Sequence, residues 1–360
     1  MPLIRLEPRP QASRAATYLS PVLAVILTLI AGAILFAVLG HDPLAAYHAF
    51  FIDPVSHLYG VAELAVKATP LILCAMGLAI GFRANVWNIG AEGQFVMGAI
   101  CGGGVGLFYE HTLGFATLPV MFIAGALGGL VWAGIPALLK TRFNANEILT
   151  SLMLTYVAQL LLNYLVRGPW RNPHGYNFPQ SEPFDGYAVI EPFFSGTRVG
   201  IGAVIAILVL IGGWLLMSRS FLGYQIKVIG LTPQAATYAG FSQNKIVWFT
   251  LTLSGALAGI AGLNEVAGPI GQLLPSISPG YGFTAIIVAF LGRLHPFGIL
   301  LAGVLIALIY IGGEAAQISL GLPVAVSGVF QGMLLFFLLA CEVLVRYRVV
   351  LGGRIVQKTA

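Results

Sequence analysis

Between two strongly apolar stretches, residues 83–99 read Arg-Ala-Asn-Val-Trp-Asn-Ile-Gly-Ala-Glu-Gly-Gln-Phe-Val-Met-Gly-Ala. This run places the Glu92 carboxylate, the Asn88 and Gln94 carboxamides and the glycines 90, 93 and 98 inside a lipid-like context. A helix-borne charge near the bilayer centre costs at least about 2.5–3.5 kcal/mol, so polar groups kept there are functional by default. The glycines allow backbone that is not plain helix. Such a pattern fits a passage through a membrane.

A second run, Asn264-Glu265-Val266-Ala267-Gly268-Pro269-Ile270-Gly271-Gln272, shares the Asn, the Glu, the glycines and a closing Gln, and its glycines and proline again break a helix. Broken helices at matching positions of two internal halves are a transporter pattern. An internal repeat and a chance likeness are equally good readings of this pair. Two further polar patches have plain structural readings. Glu63 and Lys67 are spaced i, i+4 in the favourable order for a helical ion pair. Asn146 suits a helix N-cap with Glu147 in its first turn, an explanation as good as a functional one for the Asn144, Asn146, Glu147 patch.

No catalytic constellation appears. The chain lacks HExxH, GxSxG and the P-loop GxxxxGK[ST], so it has no Walker-type site for nucleotide hydrolysis. His41, His48 and His57 flank an external segment without metal-ligand spacing, and Cys74, Cys101 and Cys341 lie singly in apolar stretches as packing residues. No catalytic residue, metal or cofactor is expected.

The elements that must position these groups are membrane helices. The chain is 58% hydrophobic and 9% charged, with mean hydropathy +0.91, where soluble domains carry about 25% charged residues. The net charge of +5 is no nucleic-acid signal, because the basic residues gather at segment ends rather than in a patch with aromatics. Ten apolar stretches are candidate spans: about 20–39, 61–82, 91–109, 117–139, 148–166, 199–217, 246–265, 281–292, 296–313 and 323–345. The first is too long for a signal-peptide core and reads as a spanning helix. The eighth is short and pairs with the Gly/Pro-rich stretch before it as a broken or re-entrant element.

With both termini cytoplasmic, fourteen Lys and Arg residues fall inside, against Arg167, Arg171 and Arg198 outside. The expected class is therefore all-α and polytopic: a cytoplasmic tail at 1–19, a membrane domain at 20–345 and a cytoplasmic tail at 346–360. The external loop 167–198 is rich in proline and aromatics, which favours an ordered cap over a solvated linker. The internal loop 218–245 contains a short helix with Thr232 as N-cap, Pro233 at the first position and Gly240 as left-handed stop. A helix this short and weakly amphipathic needs a partner surface. Small-xxx-small pairs (Gly98/Gly102, Gly102/Gly106, Gly125/Gly129, Gly255/Gly259) read as tight helix packing.

At these residues a family resemblance becomes specific. Asn88-Ile89-Gly90-Ala91-Glu92-Gly93-Gln94 resembles the signature of permease subunits in bacterial ABC importers of the branched-chain amino acid, ribose and nucleoside type. Arg142–Ile148 with Leu152–Tyr156, Ala235–Gly240 with Ser254–Gly262, and Leu291–Pro296 match as well, so the likeness covers about residues 60–345. The fuller form beginning Asn85-Val86-Trp87 resembles the nucleoside or simple-sugar branch.

The resemblance implies several roles. Thr232, Ala235, Ala236, Tyr238 and Gly240 would form the helix that docks on a separate ATPase subunit. Trp170, Tyr176 and Phe178 would face a periplasmic or lipid-anchored substrate-binding protein. Asn88, Glu92, Gln94, Asn264 and Glu265 would line or support the translocation path. The partners implied are the ATPase, that binding protein, a second permease (a copy or a related chain) and the bilayer of the bacterial inner membrane. The rival readings are a self-contained secondary transporter, which would need its own ion-coupling site, a channel, and an intramembrane enzyme, which lacks a nucleophile–base pair.

Overall fold

A computed structural model describes residues 4–8, 14–323 and 325–351. The expected tail residues Arg9, Arg354 and Lys358 lie outside these. In chain order the helices are α1 (Arg14–Val38), α2 (Pro43–Tyr47), α3 (Leu58–Arg83), α4 (Ala91–Leu113), α5 (Thr117–Phe143), α6 (Glu147–Arg167) and α7 (Ile201–Arg219). There follow α8 (Phe221–Leu231), α9 (Pro233–Tyr238), α10 (Gln243–Glu265), α11 (Tyr281–Leu291), α12 (Pro296–Leu320) and α13 (Ala325–Arg346). The all-α expectation holds, with one short strand pair beside the helices. Strands β1 (Ile4–Pro8) and β2 (Tyr347–Leu351) pair antiparallel and bring the two chain ends together.

Seven helical runs among the described residues are long and apolar enough to cross a membrane. One of them, Ala91–Phe143, has 53 residues and as a straight helix would be about 80 Å long, far more than the ~30 Å hydrocarbon core. It folds back at the 3-10 turn Gly114–Ala116, where Gly114 adopts φ +53°, and becomes α4 and α5. At 11 residues, or about 16 Å of rise, α11 reaches only part of the way through. Each of the ten expected stretches overlaps one helix.

The chain divides into two compact units. In the first, which holds the described residues up to 53 and from 312 on, α1 meets α13, and Phe36, Phe50 and Phe330 cluster with ring centroids 5.0–6.2 Å apart. In the second, residues 54–311, α10 packs against α3, α4 and α5. The glycine stripes explain how closely. A Cβ on Gly98 would overlap the backbone of Gly259, and the Gly125/Gly129 stripe of α5 faces Gly255/Gly259 of α10. Lipid supplies no hydrophobic drive between helices, so such close backbone approach is what holds them.

Both expected breaks are present. Residues 84–90 are non-helical, and α10 gives way to a π-turn at Val266–Ile270 followed by irregular chain to residue 280. Each break lies between two helices, the first between α3 and α4 and the second between α10 and α11. The internal loop holds two helices where one was expected: α8 precedes α9, with its first turn capped by Ser220 Oγ at 2.9 Å from the Gly223 N–H.

Candidate functional site

The lower part of the site is built around the first break. Arg83 ends α3 and donates to the Leu294 carbonyl at 2.8 Å, which ties the C-terminal end of α3 to the chain just after α11. Asn85 turns the chain in the left-handed region (φ +57°). The Asn88 and Gln94 amides then pair reciprocally, at 2.8 and 3.1 Å. Asn88 Nδ2 also donates to Ser254 Oγ on α10 at 3.0 Å, and Asn88 Oδ1 accepts from the Gly90 N–H at 3.0 Å. Asn88 thus spends both amide hydrogens and both acceptor positions inside the protein. The Ile89 N–H donates to Ser151 Oγ on α6 at 3.2 Å, and the Trp87 N–H to Glu147 Oε1 at 3.4 Å. Chemically this is a lock that fixes an irregular loop where lipid offers no hydrogen bonds.

Asn146 caps α6 as expected, accepting from the Ile148 N–H at 2.9 Å. Glu147 does more than complement that helix, because it also pairs with Lys140 at the end of α5.

Glu92, only 2% exposed, sits in the first turn of α4 and accepts a 2.7 Å hydrogen bond from the Gly282 N–H in the first turn of α11. Ser278 hydrogen-bonds to the same carboxyl group and, through Oγ, accepts from the Gly280 and Tyr281 N–H groups at 3.1 and 2.9 Å. The carboxyl group therefore lies at the positive ends of two helices at once, where a negative charge is stabilised. Position 282 must be glycine for this meeting, since a Cβ there would come within 2.6 Å of the Ala91 carbonyl carbon.

Tyr281 carries the connection onward. It is fully buried, its ring lies edge-on to Tyr310 at 5.6 Å, and its hydroxyl donates to Glu265 Oε1 at 3.4 Å. Glu92 and Glu265, far apart in sequence, are thus joined through the first two residues of α11.

The upper part gathers charges. Glu63 on α3 is held by both Nε and Nη2 of Arg198, with the Nε bond at 2.9 Å. Beside the i+4 neighbour Lys67 that the sequence offers, the fold brings to this carboxylate an arginine 135 residues away. Hydrogen bonding to Glu63 raises the Arg198 pKa further, and a guanidinium stays charged in proteins. Lys67 and Arg198 both act electrostatically on Glu265. Glu265 Oε2 is buried without a hydrogen-bond partner. Arg198, Thr69 and Asn264 line a cavity of about 10 Å³, room for about one water.

The expected external residues separate. Trp170 is half-buried, edge-on to Phe108 at 5.5 Å and against Gly104, so it anchors the loop. Tyr176 is 94% exposed and Phe178 is also free on the surface.

The expected internal residues separate likewise. Pro233 opens α9 and Gly240 ends it with φ +80°. The Thr232 side chain does not cap the helix; its hydroxyl bonds back to the Val228 carbonyl of α8 at 3.4 Å. Ala236, expected at the partner surface, is 0% exposed and packs within the chain. Tyr238 is 97% exposed, and Thr232, Ala235 and Gly240 are exposed with it. Reasoning from sequence missed Ser151, Ser254, Ser278 and Gly282. Only Ser254 stood in a quoted motif.

Compared with known proteins, residues 60–339 match the family model described as branched-chain amino acid transport system / permease component. The glucose ABC transporter permease protein of Haloferax volcanii is 36% identical over 358 residues, covering 96% of this chain and 93% of that one. The guanosine ABC transporter permease protein of Bacillus subtilis is 29% identical, covering 90% and 93%. A solved structure of a metal-chelate type ABC transporter in an inward-facing conformation shares the fold, with TM-score 0.50 at 15% identity, over 91% of this chain and 99% of that one.

Proposed function

The chain belongs to the branched-chain amino acid transport permease family and is the transmembrane permease subunit of an ABC transporter, and we propose that it imports a nucleoside or simple sugar. ATP hydrolysis is the work of a separate subunit.

The observation that carries the cargo class is the near-full-length similarity to permeases named for glucose and guanosine, both neutral and rich in hydroxyl groups. A self-contained secondary transporter would need an ion-coupling carboxylate. Glu63 is engaged by Arg198 and Glu92 by Gly282 and Ser278, which leaves Glu265 as the carboxylate an ion-coupled transporter would have to use.

In this reading ten segments cross or enter the membrane, α11 with the irregular chain before it being the re-entrant one. The termini and α9 lie on the cytoplasmic side of a bacterial inner membrane, supported by the basic-residue count and by the pairing of β1 with β2. Tyr238 and its exposed neighbours meet the ATPase, with Ala236 as their internal support. Tyr176 and Phe178 meet a substrate-binding protein, and Trp170 holds their loop in place. Asn264 and Glu265 face the path, while Asn88, Glu92 and Gln94 support it. The second permease is a copy or a related chain.

The test is reconstitution of the permease with its ATPase and binding protein in proteoliposomes. Uptake of labelled guanosine or glucose should require ATP and the binding protein. Uptake driven by an ion gradient without ATP would overturn the reading.

A further inference from the structure

Irregular backbone at membrane depth survives only where protein or a water-filled cavity satisfies its polar groups. The irregular stretch after α10 is satisfied in an unusual way: a segment of the external loop runs antiparallel along it. The Ser181 N–H donates to the Leu273 carbonyl at 2.9 Å, the Phe184 N–H to Gly271 at 2.7 Å, and the Ile190 N–H to Ala267 at 2.8 Å. The Leu273 N–H returns a bond to Ser181 Oγ at 2.9 Å. Ser181, Phe184, Ala188 and Ile190 are all buried beneath the loop surface. At its far end the segment is fastened by the Arg198–Glu63 ion pair. Its exposed aromatics, Phe193 and Phe194, and those of the preceding turn, Tyr176 and Phe178, point outward.

Three acceptor carbonyls are therefore covered by three strap N–H groups. Ile190, at one end of this ladder, also lines the 10 Å³ cavity together with Asn264, the neighbour in sequence of Glu265, whose buried Oε2 has no hydrogen-bond partner. That space is too small for any sugar or nucleoside. We propose that residues 181–198 are a strap closing the outer mouth of the path, and that the carbonyls of Ala267, Gly271 and Leu273 with Glu265 Oε2 form the entry site it covers. The strap N–H groups occupy the places of a solute's donors. When docking at the outer aromatics lifts the strap, the hydroxyl or amine hydrogens of a neutral, donor-rich solute take over those four acceptors. The inference rests on the permease reading and deepens it.

The test uses the assembled transporter carrying Ser181→Cys and Leu273→Cys. Their backbones are at ladder spacing, within reach of a disulfide. Oxidation should form the cross-link and abolish solute uptake, and reductant should restore it, while the uptake of each single-cysteine variant, whatever its level, should be the same before and after oxidation. A third cysteine at Thr69, in the cavity wall, reports the mouth directly. An impermeant maleimide, quantified at that residue, should react in the reduced transporter with loaded binding protein and ATP, and should not react once the strap is oxidised.

Undiminished uptake by the cross-linked protein, equal labelling of position 69 in both states, or failure of the pair to cross-link would each overturn the strap. If the reduced variant and the unmodified protein carry neither guanosine nor glucose, the cargo reading fails. The labelling at position 69 still decides the strap. A second pair, Ile190→Cys with Ala267→Cys, repeats the measurement should the first variant assemble poorly.

Discussion

Glu92 offers the sharpest test of what the signature motif does. Its carboxyl group holds the first turns of α4 and α11 together by accepting from the Gly282 N–H at 2.7 Å and bonding to Ser278. Glu92→Ala removes the acceptor and strands both donors in a buried site. Each stranded donor costs about 1–3 kcal/mol, so the variant should lose about 2–6 kcal/mol. Glu92→Gln keeps one acceptor oxygen and the shape. It gives up charge assistance worth about 1–1.5 kcal/mol per bond, and relief of the cost of burying a charge, several kcal/mol, offsets this loss. The glutamine variant should therefore remain near native stability. The assay is the fraction of detergent-purified transporter that stays monodisperse on heating, measured beside uptake in proteoliposomes. Glu92→Gln should insert, assemble and retain much of its transport; Glu92→Ala should lose assembly and transport together. Glu92→Ala that assembles like the native protein but changes which solute is carried would refute the clamp and make Glu92 a cargo contact.

Tyr238→Ala should leave expression and thermal stability unchanged while abolishing stimulation of ATP hydrolysis by loaded binding protein. Ala236→Glu should instead reduce the yield of folded protein, because an unpaired buried carboxylate costs several kcal/mol; equal yields of the two variants would contradict the burial of Ala236. Cysteine at Tyr176 should react with an impermeant maleimide in intact spheroplasts and cysteine at Gln234 should not, and the reverse pattern would invert the topology. Arg198→Ala leaves Glu63 buried without its partner and should cost about 3–5 kcal/mol, read as a lower heat-aggregation midpoint. Gly98→Val forces side-chain atoms into the backbone of Gly259, and overpacking of about 1–3 kcal/mol or more should appear as poor recovery of the assembled transporter.

Much of the architecture is visible in the chain itself. Hydropathy located the helices, because the energy of placing a segment in lipid is a sum over its own residues. The two breaks were visible as Gly and Pro among polar residues, and Asn146, Pro233 and Gly240 marked helix ends through local backbone preferences that need no distant partner. The glycine stripes announced close packing, though not that those of α5 and α10 would meet.

The partners of the polar groups were a matter for the tertiary structure. Glu63 has a helical neighbour of opposite charge at i+4, and the fold adds Arg198 from the loop before α7. Glu92 is held by the backbone N–H of Gly282, and a backbone donor leaves no mark on residue identity. Ala236 and Tyr238 lie two positions apart on one short helix, and only the packing of α9 on α8 and α10 decides which faces inward. Segment hydrophobicity, capping and breaking are local free energies that the sequence alone determines. Which buried donor meets which acceptor depends on how helices far apart in the chain approach one another, and that is settled only when the whole bundle closes.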